Sequence, residues 1–144
     1  MSTNVHIVFP MCAMFLLVVI VLGVMFFGRV KAVRAGSIKI GYFRTLQGAE
    51  PAESIQAARH FINLFEAPVL FYVACILGLI LPVQAVGFVI LAWAYVAARA
   101  LHAFIHIGKN DVFKRMRAYG LSWLILLGMW LMIFWKAISI ATIS

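Results

Sequence analysis

The sequence predicts an all-α fold, a four-helix transmembrane bundle formed as a single domain over residues 1–144. Three observations predict it. Apolar residues make up 66% of the chain and charged residues only 11%, far from the balance of a water-soluble domain. Four apolar runs, at about 7–27, 60–81, 84–105 and 119–140, each approach the ~20 residues that a helix needs to cross a bilayer core. None of them alternates with the period of two of a barrel strand, and an open sheet would leave backbone groups unsatisfied in lipid.

The first run follows "MSTNVH", which carries no basic n-region, and it is longer than a signal-peptide core. It is expected to remain as the first transmembrane helix. The polar segment 28–58 comes next, punctuated by Gly36, Gly41, Gly48 and Pro51. Within it "EPAES" reads as a helix start, with Pro51 near the first turn and Glu50 and Glu53 at the positive end of the dipole. The second helix then runs from about 52 to 81, roughly 45 Å at 1.5 Å per residue, so its first turns project beyond a ~30 Å core. Pro68 is expected to kink it. A short turn, "LPVQA", leads to the third helix, and a basic loop at 106–118 leads to the fourth. Tyr119, Trp123, Trp130, Phe134 and Trp135 near the ends of the fourth helix read as interfacial anchors and lipid-packing groups.

Basic residues set the predicted orientation. Arg29, Lys31, Arg34, Lys39, Arg44 and Arg59 lie between the first and second helices, and Lys109, Lys114, Arg115 and Arg117 between the third and fourth. The outer turn has none, and the C-terminus has only Lys136. By the positive-inside rule the two basic loops face the cytoplasm and both termini face outward. The net charge of +8 is thus a topology signal with an attraction to anionic membrane lipids, and with no soluble basic domain present no nucleic-acid partner is expected. Cys12 and Cys75 lie apart in apolar segments, which makes neither a disulfide framework nor a metal pattern, and no metal is expected.

One stretch does not fit a purely lipid-facing helix. In "RHFINLFEAP", Arg59, Asn63 and Glu66 are four and three residues apart and share a helical face. A carboxylate facing lipid is unfavourable, so Glu66 is expected to face the bundle and find a partner. The third helix offers Arg99, His102 and His106 in "ARALHAFIH", again on one face. Counted from Pro82 at the outer turn, Glu66 and Arg99 lie 16 and 17 residues away, Asn63 and His102 lie 19 and 20, and Arg59 and His106 lie 23 and 24. Antiparallel helices of equal rise therefore bring these residues level in pairs, in the cytoplasmic third of the bundle. Two readings fit the stripe: a structural network that fixes helix register, or a site for a polar, anionic ligand that meets an apolar partner within the membrane.

The motifs resemble those of a known family. "RHFINLFE" resembles the Arg-x-x-x-Asn-x-x-Glu signature on the second helix of the MAPEG proteins, the membrane-associated proteins in eicosanoid and glutathione metabolism. "RALH", followed by "AFIH", resembles the family's Arg-x-x-His on the third helix, and "IGKNDVFKR" resembles the segment leading to a fourth-helix arginine. The resemblance spans essentially the whole chain. His106 stands where a tyrosine is usual, Met116 stands where some members have a hydroxyl, and "NLFEAPVLFY" is similar to the bacterial branch.

The resemblance implies a homotrimer in the bacterial inner membrane, with glutathione bound between subunits on the cytosolic side as a co-substrate. It implies a glutathione transferase or peroxidase acting on lipophilic small molecules, such as electrophiles or lipid hydroperoxides. Carried over by position, Arg59, Asn63, Glu66, Arg99, His102 and His106 would belong to the glutathione site, and Arg115 would stabilise the thiolate, with Arg117 as its rival. The residue types suit that chemistry. Guanidinium forks match the carboxylates of glutathione, Glu66 can take its ammonium, and a cation at the sulfur lowers a thiol pKa that is otherwise near 8.5. The alternative is a non-catalytic membrane subunit or scaffold that keeps the stripe for helix register.

Overall fold

The computed structural model describes residues 5–46, 48, 50–81, 83 and 85–142, and only the backbone of residue 53. Pro82, the expected centre of the outer turn, and the Glu53 side chain lie outside the described residues. The described residues are all-helical: α1 Val8–Arg34, α2 Ala52–Asn63, α3 Ala67–Ile80, α4 Val86–Ile107 and α5 Val112–Ala141, with 3₁₀ turns at Val5–Ile7 and Ile40–Arg44. Four spans are long and apolar enough to cross a membrane: Val5–Arg34, Ser54–Ile80, Val86–Ile107 and Val112–Ala141. The fourth buries only 17% of its most apolar window inside the chain, so most of that surface is left to lipid or to other chains.

Two helices extend past their apolar runs. The first, expected to stop at 27, continues to Arg34, because nothing in "GRVKAVR" breaks a helix and Lys31 and Arg34 suit the negative end of its dipole. The last begins at Val112 and not at 119. Asp111 caps it, accepting a hydrogen bond from the Lys114 backbone N–H at 3.0 Å and pairing with the Lys114 ammonium at 3.8 Å. Hydropathy locates apolar runs, whereas caps locate helix ends, and at this end of the bundle the two helices outrun their apolar runs.

The expected kink at Pro68 is a break. The helix stops at Asn63, turns through Leu64–Glu66, where Glu66 leaves helical geometry, and resumes at Ala67 with the proline in its first turn. Proline supplies no N–H and its ring crowds the carbonyl four residues back, so the turn before it cannot close. Glu66, with φ −96° and ψ −99°, is the hinge residue.

The core gathers where α3, α4 and α5 meet the N-terminal half of α1. Met14, Phe71, Ala74, Phe88, Tyr95 and Met129 are fully buried there. The Phe71 and Tyr95 rings stack 4.6 Å apart and 9° from parallel. At Gly78 an added Cβ would sit 2.6 Å from the Phe88 ring, so glycine is what allows α3 and α4 to approach there.

The segment after α1 is held by one carboxylate. Glu50 accepts hydrogen bonds from the Tyr42 and Ser54 hydroxyls and lies 3.6 Å from the Arg29 Nε. Burial alone would raise the Glu50 pKa, but those two hydrogen bonds and the Arg29 charge outweigh it and hold the carboxyl below its ordinary value. The same bond, then burial, pushes the Tyr42 hydroxyl above its ordinary value. Thus Glu50, next to the N-cap of α2 at the positive end of its dipole, also ties the 3₁₀ turn at Ile40–Arg44, α1 and α2 together at the basic end of the bundle.

Candidate functional site

At that end α2, α4 and α5 converge. The face of α2 presents Gln56, Arg59, His60 and Asn63, at helical spacing. The facing side of α4 presents Arg99, His102 and His106, and α5 contributes Arg115 and, one turn on, Tyr119. Gln56 fixes the register of the first two helices: its Nε2 donates to the backbone carbonyl of His106 and, at 3.2 Å, to that of Gly108. These carbonyls end α4, where no intrahelical N–H remains to satisfy them.

Arg99 is fully buried. Its Nη2 donates to Asn63 Oδ1 at 2.6 Å and approaches the Asn63 carbonyl at 3.3 Å, so the guanidinium caps the broken end of α2. It also lies 5.6 Å from the centre of the Tyr119 ring. Its Nε and Nη1 have no hydrogen-bond partner among the described residues. The expected direct meeting of Glu66 with Arg99 does not occur: no ion pair joins them among the described residues, and Asn63 stands between, donating its Nδ2 to Glu66 Oε2 at 3.1 Å. The break after Asn63 is the reason, since it carries Glu66 off the inward face and leaves its side chain exposed.

The histidines form a cluster. His60, His102 and His106 are 0%, 3% and 8% exposed, with ring centroids 4.9–5.5 Å apart. His60 Nδ1 and His106 Nδ1 are 3.0 Å apart, and His102 Nδ1 lies 3.1 Å from the Arg115 carbonyl oxygen. Asn63 thus meets Arg99, and His60 meets His106, where the depth count paired Asn63 with His102 and Arg59 with His106.

A cleft of about 440 Å³ opens beside these groups, lined by Arg59, Asn63, His102, His106, Arg115 and Tyr119. Its size falls within the ~300–1,000 Å³ of small-molecule sites. An adjoining hollow of about 300 Å³ shares Arg59, His106 and Arg115. Arg115 is held toward both by a 2.6 Å bond from its Nη1 to Asn110 Oδ1, while Arg117 is exposed and lines neither. The cleft therefore brings together Arg59, Asn63, His102, His106 and Arg115, with Arg99 behind Asn63 and Glu66 outside. It joins cations and an amide to an apolar wall of Val112 and Met116, an arrangement suited to an anion with an apolar partner.

Sequence reasoning missed Gln56, His60 and Tyr119. His60 was legible: at 22 residues before Pro82 it is level with the interval between His102 and His106, 20 and 24 residues after. Tyr119 reads as an interfacial anchor, yet it lies four residues from Arg115 on the same face. Gln56 offered no signal beyond its place on the stripe.

The family model described as the MAPEG family matches residues 7–135 of the chain. No curated protein and no solved structure matches it.

Proposed function

The chain belongs to the MAPEG family, and from that premise we propose that this integral membrane protein is a glutathione-dependent transferase or peroxidase for lipophilic electrophiles or lipid hydroperoxides. One observation carries the proposal: a fully buried guanidinium, that of Arg99, has two nitrogens without a partner beside a cleft edged by Arg59 and Arg115. A buried charge left partly unpaired is costly. A carboxylate of glutathione would complete it once the Asn63 side chain swings aside, with Arg59 in the cleft available for the second carboxylate and Glu66, just outside the cleft, for the ammonium. Arg115 would then face the sulfur and favour its thiolate.

In the transferase reaction the thiolate attacks the electrophilic carbon, a carbon–sulfur bond forms, and the leaving group departs with the displaced electron pair. In the peroxidase reaction two glutathione molecules reduce the hydroperoxide to an alcohol and water and are oxidised to the disulfide. A lipophilic acceptor would reach the sulfur from the bilayer, past Val112 and Met116.

Three such chains would form a homotrimer with the clefts covered by neighbouring subunits. The basic end of the bundle would face the cytoplasm of a bacterial inner membrane. A second reading, a scaffold without catalysis, is favoured by the Asn63–Arg99 and Gln56–α4 bonds, which lock helix register with no ligand. Calorimetry separates the two. Glutathione should bind the nanodisc-embedded protein and lose at least ~10-fold in affinity in Arg99→Leu, the scale of one charge-assisted contact. A protein that keeps its fold and takes up no glutathione is the scaffold.

A further inference from the structure

Three histidines from two helices meet, His60 from α2 and the His102-x-x-x-His106 pair from α4. One ring nitrogen from each of His60, His102 and His106 lies within 4.8 Å of the other two. His60 Nδ1 and His106 Nδ1 are 3.0 Å apart. Imidazole nitrogens at 2.0–2.1 Å from a tetrahedral zinc sit roughly 3.3 Å from each other, so small ring rotations close the set.

The hydrogen bonding favours lone pairs within the cluster. A carbonyl oxygen only accepts, so His102 must hold its proton on Nδ1 and donate it to Arg115, which leaves Nε2 with the free lone pair. Metal-bound histidines are commonly fixed in this way by a backbone carbonyl. Of the facing His60 and His106 Nδ1 atoms, at least one is unprotonated when they hydrogen-bond. His60 Nε2 and His102 Nε2 are buried without a partner among the described residues, a state that buried polar atoms rarely hold.

We infer that His60, His102 and His106 form a centre for a borderline first-row divalent metal of the zinc class, with a fourth position open to the cleft. Imidazole donors suit that class. Arg59 and Arg115 line the same cleft, so the charged side chains there are cationic and the fourth position suits water or an anion. The same arginines draw that anion in.

The test uses chelator-stripped protein in nanodiscs, titrated with Co²⁺ as an absorbing probe and with Zn²⁺ as competitor, in the absence of thiol. One ion per chain should bind with ligand-field bands of a tetrahedral site. His60→Gln and His102→Gln should each weaken binding by roughly 100-fold or more, the upper range for damage to a metal site. His6→Gln should not, because His6 is exposed on the turn before α1. X-ray absorption of the loaded wild-type protein should count three imidazoles, which keeps the inference testable if a variant fails to fold. Failure of the folded protein to take up either ion, or uptake unchanged in both variants, overturns the centre. Glutathione binding to metal-free protein that takes up no metal overturns only this inference, and metal uptake without any glutathione binding overturns only the proposed activity.

Discussion

Asn63 shows what one side chain does at a helix break. Its amide oxygen holds the Arg99 guanidinium and its amide nitrogen holds Glu66, so it links two charges that the sequence suggested would meet directly. Asn63→Leu removes the side-chain hydrogen-bond acceptor of the buried Arg99 and should cost ~3–5 kcal/mol in thermal unfolding, whereas the Asn63→Leu, Arg99→Leu double variant should cost less than the sum of the two single variants. Glu66→Gln should change stability little, because Glu66 is exposed. Glu50 gives a pH signature at the same scale. Its folded pKa lies below the ordinary 4.5, so its stabilisation is complete above that value and is lost as pH falls through the lower folded value. The raised Tyr42 pKa works the other way: its contribution is complete below 10.0 and is lost as pH rises through the higher folded value. Amide hydrogen exchange over residues 40–46, corrected for its intrinsic pH dependence, should therefore rise at both extremes, and Glu50→Gln should exchange readily throughout.

Among the elements, the α3–α4 hairpin depends on Gly78. A Cβ there would lie 2.6 and 2.9 Å from two Phe88 ring atoms, and the ring is fully buried and cannot swing aside. Gly78→Ala should destabilise by ~1–3 kcal/mol, and Phe88→Leu in the same chain should recover part of the loss. The count, order and approximate extent of the spanning helices were legible because a bilayer demands long apolar runs. Their ends were not. Asp111 starts α5 seven residues before the apolar run through a cap, a signal of one residue that hydropathy averages away. The break at Leu64–Glu66 was half legible, since Pro68 announced a disturbance but not its depth. Spacing placed Arg59, Asn63, Arg99, His102 and His106 at one end of two facing helices. It could not show that Glu66 turns outward after the break, nor that Arg115 rather than Arg117 lines the cleft.

For the whole molecule, the proposed orientation and assembly rest on surface character. Both basic segments lie at one end of the bundle, joined by Gln56 and its bonds to the end of α4. Single cysteines near 40 and 112 should react with a membrane-impermeant reagent only from the cytoplasmic side; labelling of either from the outside alone would reverse the bundle. Much of the apolar surface remains exposed on the single chain, including Phe104 at 80% and Trp135 at 75%, which leaves room for both lipid and neighbouring subunits. Native mass spectrometry from detergent should give a trimer. The measurement that bears most directly on the proposed activity is the ultraviolet difference spectrum of glutathione bound in nanodiscs, read with turnover of a lipophilic electrophile. Wild-type protein should show a thiolate band. Arg115→Leu should remove it and slow turnover by roughly 10²–10³-fold, the scale of one lost charge-stabilising donor, while Arg117→Leu should leave both nearly intact. Bound glutathione with no thiolate band in the wild type, or equal losses in the two variants, would contradict a positioned activating arginine in this cleft.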